Sequence, residues 1–254
     1  MAALFVDERG VYANQPEVEV WGKSRDARLY PGPHPVVCHS PCARWCRLAG
    51  LVEARYGHKR GDDGGCFESA LASVRKWGGV LEHPAHSDAW SHFGMPAPNP
   101  SGGWQRGICG GWSCHVEQGH YGHRARKATW LYAFGCELPE LKWGDSGSRA
   151  WISWCSNHTA GNPKGARPAD LGFTQAEERA FRSHRPLSPE MSKRKSEWMT
   201  ATEKATGMKD FRRLTDREAA ATPPAFRDVL LAMARSVADA PLLNAATAAR
   251  SGQA

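Results

Sequence analysis

The sequence predicts an α/β fold in which a Rossmann-like, mostly parallel sheet is flanked by helices. Residues 2–6, 18–21 and 35–38 are short and either apolar or alternating between polar and apolar side chains, as buried strands are. Residues 66–77 instead have apolar side chains at helical spacing, and the next strand begins directly after them at Val80. Because a strand, a helix and a strand follow one another, we expect parallel strands covered by helices.

Local composition predicts the remaining elements of the core. The helix over 66–77 is expected to end at Gly78-Gly79, since glycine commonly ends a helix. Residues 84–113 are rich in proline, glycine, tryptophan and histidine and have little periodicity, which predicts an ordered loop. A strand pattern returns at 114–117, and residues 128–134 form the clearest strand after it.

Changes in composition divide the chain into four parts. Residues 1–143 contain the predicted Rossmann-like catalytic core. Residues 144–220 are polar, basic in places and poor in branched aliphatic side chains, so we interpret them as a basic insertion or lid that could contact DNA. Residues 221–240 are predicted to form a closing helix on the core, because proline suits a first turn and the apolar residues share one face. The tail over 241–254 is predicted to be flexible.

The overall charge and composition narrow the class of protein. The chain has 254 residues and a formal net charge of +7, and 41% of its residues are hydrophobic. The hydrophobic content argues against global disorder, and the charge suits a polyanionic partner such as nucleic acid, although a soluble basic protein has the same balance. We find no signal peptide pattern and no apolar run of membrane-spanning length, which predicts a cytoplasmic protein with reduced cysteines and no membrane partner. Protein partners stay unknown at this stage.

Cys42 is the candidate nucleophile. It follows the strand over 35–38 in the segment Ser40-Pro41-Cys42, with Arg44 close by in sequence to favour a thiolate. A cysteine just beyond a buried strand can present its sulfur at the edge of an open sheet, where such folds bind ligands. The structural alternative is a small buried residue in a turn.

Glu82 is the candidate acid, because it follows the next strand and precedes His83-Pro84. Such a carboxyl group could protonate or hydrogen-bond a bound base. The alternatives are a helix N-cap or an ion pair with Arg124 or Arg126. Those two arginines lie in a cluster of cations directly before the 128–134 strand, where they could contact phosphate, hold the glutamate, or simply be solvated.

A metal site is the main competing interpretation of the cysteines. Cys38, Cys42 and Cys46 recur every four residues, and further possible ligands are Cys109, Cys114, His115, His120 and His123. Structural zinc sites permit this spacing, but it is not diagnostic of them. The run also differs by one residue from the cysteine pattern of radical enzymes with an iron–sulfur cluster. We expect no metal, and zinc remains the alternative.

Taken in order, the motifs resemble those of the cytosine-C5 DNA methyltransferases, especially short methyltransferase-like proteins of phages and prophages. Ser40-Pro41-Cys42 resembles the Pro-Cys nucleophile motif, and Glu82-His83-Pro84 resembles the Glu-Asn-Val motif. The segment from Tyr121 to Arg126 resembles the Tyr-Gly…Gln-x-Arg-x-Arg motif. The segment from Arg25 to Arg28 resembles the one whose aspartate contacts adenine, and Thr222 to Phe226 resembles the C-terminal motif.

The resemblance implies a DNA-modifying enzyme that acts on a cytosine flipped from double-stranded DNA. Cys42 would add to C6 of that cytosine and Glu82 would engage N3, after which a one-carbon group is transferred to C5. Arg126, with Arg124 as the second choice, would support the pyrimidine carbonyl or the glutamate. The implied cofactor is S-adenosylmethionine, with the binding residues Phe5, Asp26, Pro41 and Pro224.

The chain departs from the family pattern at several positions. The segment after the first strand has one glycine, Gly10, where the family has a glycine-rich loop. No acidic residue follows Val20 to hold the ribose hydroxyls, His83 stands at the asparagine position, and the motif glutamine is absent. The alternatives are therefore a relative with other pyrimidine chemistry, or a catalytically inactive or zinc-containing DNA-binding protein that retains the fold.

Overall fold

The computed structural model describes residues 1–46, 49–148, 172–182, 186–206 and 214–237. Its strands are β1 (Ala2–Leu4), β2 (Glu19–Trp21), β3 (Val36–Cys38), β4 (Gly79–Pro84), β5 (Gln105–Arg106), β6 (Trp112–Glu117) and β7 (Ala128–Phe134). Its helices are α1 (Ala49–Tyr56), α2 (Cys66–Trp77), α3 (Asp88–His92), α4 (Gln175–Arg182), α5 (Pro189–Thr206), α6 (Asp216–Ala220) and α7 (Pro224–Ser236). Short 3₁₀ turns cover Ala27–Leu29 and Gln118–Tyr121.

The described strands form one seven-stranded sheet in the order β2-β1-β3-β4-β7-β6-β5. Strands β1 to β4 are mutually parallel, whereas β7 pairs antiparallel with both β4 and β6. Strand β5 pairs antiparallel with β6 at the edge, so five of the seven strands run in the same direction. The predicted α/β class with a mostly parallel, mixed sheet and flanking helices is confirmed.

The chain passes from β1 to β2 on one side and to β3 on the other side of β1. The carboxyl ends of β1 and β3 therefore flank a point at which the order of the strands reverses. Open α/β sheets bind ligands in the crevice outside such a point. The segments that follow β1 and β3 border this crevice in the present sheet.

The two faces of the sheet are covered by different helices. On one face, α2 contributes Phe67, Ala70, Leu71 and Val74 to a core that includes Val36, Cys38 and Leu81. On the other face, α7 contributes Phe226, Leu230, Leu231, Met233 and Ala234 to a core that includes Val37, Val80 and Leu131. Successive side chains of a strand point to opposite faces, so both cores are built from the same strands.

Several elements differ from those expected from sequence. Residues 84–113, predicted to be a loop, contain the one-and-a-half-turn helix α3 and the two-residue strand β5. Helix α1 was not expected, because most of its side chains are exposed and its apolar residues have no clear helical period. Strand β4 extends to Pro84, so Glu82 lies within this strand instead of after its end.

The chain divides into two compact units. The first contains residues 1–122, 128–146 and 222–254, with the seven-stranded sheet, and the second contains residues 123–127 and 147–221. In the second unit, α4 and α5 pack together around Phe173, Phe181 and Trp198. The predicted flexible tail over 241–254 and Cys155 lie outside the described residues.

Candidate active site

The carboxylate of Glu82 is the chemically most unusual group at the carboxyl edge of the sheet. Its side chain is 10% exposed, and its two oxygens accept hydrogen bonds from different partners. Oε1 accepts from Gln118 Nε2 at 3.0 Å and from Thr129 Oγ1 at 3.3 Å. Oε2 lies 2.8 Å from Nδ1 of His39. A buried carboxylate is stable only with such partners, so they are part of the site.

His39 connects Glu82 to Tyr12. The Nε2 atom of His39 lies 2.8 Å from the hydroxyl of Tyr12, while Nδ1 faces Glu82. His39 directly follows β3, and its backbone N–H donates to the carbonyl of Leu4 at the end of β1. The site therefore contains a continuous chain of polar groups, Tyr12–His39–Glu82, across the point where the strand order reverses.

Strand alternation explains why these side chains meet. Val37 of β3 and Val80 of β4 belong to the core under α7, so His39 and Glu82, two residues further along, point to the same face. Thr129 lies on that face of β7 with Leu131 and Ala133, and Gln118 follows β6, whose Cys114 and Val116 also face α7. The cluster is the polar continuation of the α7-side core.

Tyr12 stays protonated at this position. It is 2% exposed, and burial together with the nearby charge of Glu82 raises the pKa of its hydroxyl well above the usual range. The hydroxyl can therefore donate to or accept from His39, but it does not act as a source of protons near neutral pH.

Cys42 lies on the segment that leaves β3 through His39. It is half-buried, and its backbone carbonyl accepts from the N–H groups of Trp45 at 3.0 Å and Cys46 at 2.9 Å, which forms a helical turn. Pro41 is exposed directly before it. The His39–Glu82 contact holds the beginning of this segment against β4, so Cys42 and Glu82 belong to the same edge of the sheet.

His83 points away from Glu82, to the face covered by α2. It is fully buried, with its ring edge-on to Phe67 at a centroid distance of 5.1 Å and beside Trp90. Burial lowers the pKa of this imidazole to about 4, which keeps the ring neutral at physiological pH. The residue at the asparagine position of the resembled motif is therefore part of the core.

The two predicted arginines belong to the second unit. Arg124 lies 3.4 Å from Glu218 on α6, and its neighbour His123 contacts the backbone carbonyl of Glu218 at 3.1 Å. Arg126 is half-buried in the same short segment. Their predicted role beside the pyrimidine or Glu82 stays a prediction.

The residues predicted to bind a cofactor lie in segments after β-strands or at the start of α7 and have these contacts. Phe5 follows β1 with a φ of 60°, and its N–H donates to the carbonyl of Trp21 at 2.8 Å. Both carboxylate oxygens of Asp26 accept from Arg28, at 2.8 and 2.7 Å. Pro224 is the exposed first residue of α7. Phe5, Asp26 and Pro41 lie in segments that follow β1, β2 and β3. Their role in binding a cofactor stays a prediction.

Glu8 is an acidic residue that the structure brings next to the segment after β2. It reaches from the segment after β1 to the segment after β2, where its Oε1 accepts from Ser24 N at 2.8 Å and Ser24 Oγ at 2.6 Å. These hydrogen bonds lower the pKa of the Glu8 carboxyl, so it is ionised. A Cβ on Gly22 would lie 2.5 Å from Glu8 Cγ, which shows how closely the two segments pack. The ionised carboxylate of Glu8 therefore lies between the segments that follow β1 and β2.

The described residues contain no group of three or more histidine, cysteine, aspartate or glutamate side chains that could hold a metal ion. Cys38 and Cys114 are buried, and burial raises the pKa of both thiols, which disfavours the thiolate that a metal requires. Likewise, none of the described helices is long and apolar enough to cross a membrane.

Sequence reasoning missed His39, Tyr12, Gln118 and Thr129. A signal for three of them was present, because a glutamate expected beside a buried strand needs hydrogen-bond donors, and His39, Gln118 and Thr129 all occupy strand ends. Tyr12 gave no such signal, since it lies in a segment without periodicity.

Comparison of the chain with protein-family models, with curated proteins and with solved structures gives no match.

Proposed function

We propose that this protein is a DNA-modifying enzyme of the cytosine-C5 methyltransferase type, which acts through a covalent adduct between Cys42 and a flipped cytosine. The observation that carries the proposal is the contact of the buried Glu82 carboxylate with His39. Glu82 Oε2 lies 2.8 Å from His39 Nδ1, and His39 begins the segment that contains Cys42. A thiol and a carboxyl group on one sheet edge are the pair that addition to a pyrimidine requires.

The arrangement of the strands supports a Rossmann-like interpretation of the fold. The four parallel strands have the order β2-β1-β3-β4, so the chain adds β2 on one side of β1 and adds β3 and β4 on the other side. Doubly wound nucleotide-binding sheets have such a reversal of strand order. The segments after β1 and β3 carry Glu8, His39 and Cys42, so polar groups are concentrated where such sheets bind ligands.

In the proposed reaction, the thiolate of Cys42 forms a bond to C6 while the C5=C6 electron pair moves to C5. Glu82 gives a proton to N3, which neutralises the charge that develops in the ring. After C5 has gained its substituent, a base removes the C5 proton, and the returning electron pair breaks the bond between sulfur and C6. The proton on N3 returns to Glu82 at the same time. Gln118 and Thr129 hold Glu82 in position throughout.

S-adenosylmethionine, when bound, supplies an electrophilic methyl group. In this proposal the ionised carboxylate of Glu8 would accept from the ribose hydroxyls, in the orientation that Ser24 gives it. Phe5, Asp26 and Pro41 line the same edge of the sheet, and Asp26 would accept from the adenine amino group with Arg28 beside it. Double-stranded DNA is the proposed partner, in agreement with the net charge of +7.

Replacement of Cys42 tests the proposal, with Cys46 as a matched control four residues away in the same turn. Mass spectrometry of nucleosides from expressing cells should detect 5-methyldeoxycytidine with the wild type and with Cys46→Ala. The Cys42→Ala variant should give only background, because no other group forms the C6 bond, while its affinity for duplex DNA is retained. DNA that contains 5-fluorocytosine should trap the wild type but not this variant.

Two outcomes would contradict the proposal. One is modified deoxycytidine at wild-type level with folded Cys42→Ala. The other is the absence of both modified deoxycytidine and a covalent adduct with the wild-type protein on DNA of mixed sequence.

A further inference from the structure

The hydrogen-bond partners of Glu82 pose a chemical problem for the proposed function, on which this inference rests. N3 of cytosine is an acceptor, so Glu82 must carry a proton to bind it. Yet Gln118 donates to one carboxylate oxygen and His39 faces the other, and donors of this kind stabilise the ionised form. Glu82 must therefore receive a proton during the reaction.

His39 is placed to supply that proton. Its Nδ1 lies 2.8 Å from Glu82 Oε2, which is hydrogen-bond distance, and its side chain is 13% exposed. An imidazole can both carry and release a proton, and the slight exposure of this side chain gives it contact with solvent. Tyr12, on the other side of the His39 imidazole, is only 2% exposed and belongs to the core.

We propose that His39 is a positioning residue and proton carrier for Glu82, and that the Tyr12 hydroxyl stabilises both protonation states of its ring. In the cationic state, Nδ1–H donates to the Glu82 carboxylate and Nε2–H donates to the Tyr12 oxygen. The Nδ1–H bond then breaks as the proton joins Oε2, which leaves neutral imidazole and neutral carboxyl. His39 regains its proton from solvent water.

The hydroxyl of Tyr12 matters because it is both a donor and an acceptor. When His39 is cationic, the Tyr12 oxygen accepts a hydrogen bond from Nε2–H. When the ring of His39 is neutral, as in the resting site, the Tyr12 hydroxyl donates to Nε2. When the ring is neutral and Glu82 is ionised, Nδ1 must therefore carry the hydrogen. The geometry fixes this tautomer, since Glu82 can only accept and Tyr12 is held protonated.

Other titratable and charged groups face this chain from the surrounding elements. Burial raises the pKa of Tyr12 most, followed by the charge of Glu82. Arg227 lowers this pKa, whereas Cys38 and Asp228 raise it slightly. His83, behind β4, is neutral near physiological pH. Arg227 of α7 also donates to the carbonyl of Val11 at 3.0 Å, which holds α7 against the segment of Tyr12.

The first experiment measures the tautomer in the intact protein without any substrate. Nitrogen-15 chemical shifts of the imidazole, assigned by comparison with His39→Asn, should show Nδ1 protonated and Nε2 unprotonated when His39 is neutral. An Nε2–H tautomer would overturn the proposed chain of hydrogen bonds, whatever the function of the protein.

The second experiment measures proton delivery without a cofactor. Reversible addition of Cys42 to C6 exchanges the C5 hydrogen of cytosine with solvent, which mass spectrometry detects in plasmid DNA incubated with the protein in deuterium oxide. His39→Asn keeps an N–H donor toward Glu82 but has no titratable proton, so the exchange rate should fall by about 10²-fold or more. The pH dependence of the rate should also differ between the wild type and this variant, because the variant lacks the imidazole that carries the proton.

Two further variants complete the test. Tyr12→Phe keeps the imidazole but removes one hydrogen bond, and should lower the rate by about fivefold. His34→Asn, at an exposed position outside the site, should match the wild type. A wild type that exchanges no C5 hydrogen would contradict the proposed function. A folded His39→Asn that keeps the rate and pH profile of an active wild type would overturn the role of His39 alone.

Discussion

At the scale of single residues, a carboxyl group buried as deeply as that of Glu82 requires partners from distant parts of the chain. His39, Gln118 and Thr129 meet it from β3, β6 and β7. Loss of one partner would remove a hydrogen bond from a buried carboxyl group, which destabilises the folded protein. The same residues therefore stabilise the fold and set the chemistry of the carboxyl group.

His83 shows the opposite solution, since it is buried in its neutral form. Its pKa is about 4 in the folded protein, because of burial, and the ordinary value applies after unfolding. Between these two values the unfolded chain binds a proton that the native protein does not bind. Protonation of His83 consequently has little effect on the free energy of unfolding at neutral pH. This free energy falls as the pH decreases below the ordinary histidine pKa.

We predict that replacement of His83 flattens this acid-side loss of stability. From about pH 7 to about pH 5 the wild type should lose about 2 kcal/mol more free energy of unfolding than His83→Asn. Urea unfolding at both pH values measures the difference. The control His34→Asn, at an exposed site, should keep the full loss, and an equal loss in His83→Asn would contradict the prediction.

At the scale of elements, the turn between α2 and β4 determines how closely β3 and β4 can pair. Helix α2 ends at Gly78, and Gly79 begins β4 opposite Val36. Gly79 has a φ of 117°, and a Cβ built on it would lie 2.0 Å from the carbonyl oxygen of Val36. Only glycine combines this conformation with such a close approach of two backbones. The turn thereby fixes the register that places Glu82 next to His39.

We predict that Gly79→Ala destabilises the protein by about 3 kcal/mol or more, because the backbone conformation is strained and the strands must separate. The matched control is Gly50→Ala in α1, where a Cβ has no heavy atom within 4 Å. This control should change stability by about 1 kcal/mol or less, in the stabilising direction. Urea unfolding of both variants decides between these outcomes, and equal effects would contradict the explanation.

At the scale of the whole molecule, the net charge of +7 is relevant to the proposed DNA partner. In the second unit, helix α5 carries the basic run from Lys193 to Lys195. Arg194 within this run is bound by Glu177 at 3.0 Å and Glu197 at 3.2 Å, whereas Lys193 is exposed. These neighbouring cations therefore differ in their availability to phosphate.

We predict that the logarithm of the DNA association constant falls linearly with the logarithm of salt concentration, because phosphate contacts release counterions. Lys193→Gln should reduce the slope by about one unit. Arg194→Gln, which removes the same charge from an existing ion pair, should leave the slope unchanged. Fluorescence anisotropy over a range of salt concentrations measures both, and equal slopes for the two variants would contradict this assignment.

Periodicity and end signals in the sequence were sufficient to locate α2, β7 and the parallel strands of the core, since those elements are buried on a regular face. The same reasoning failed for α1 and α3. Helix α1 is mostly exposed, and α3 is too short to show a period. The sequence also indicated Cys42 and Glu82 as a candidate pair near the carboxyl ends of β3 and β4, although β4 extends two residues beyond Glu82.

The partners of Glu82 were decided by the tertiary structure. His39 lies 43 positions from Glu82 along the chain, and Gln118 lies 36 positions away. Local patterns carry no information on which strands become neighbours, so this cluster depends on the strand order β3-β4-β7-β6 and on its register. The sequence by itself determined which chemical groups are present and at which strand ends, whereas sheet pairing determined that an acid, an imidazole and an amide share one buried site.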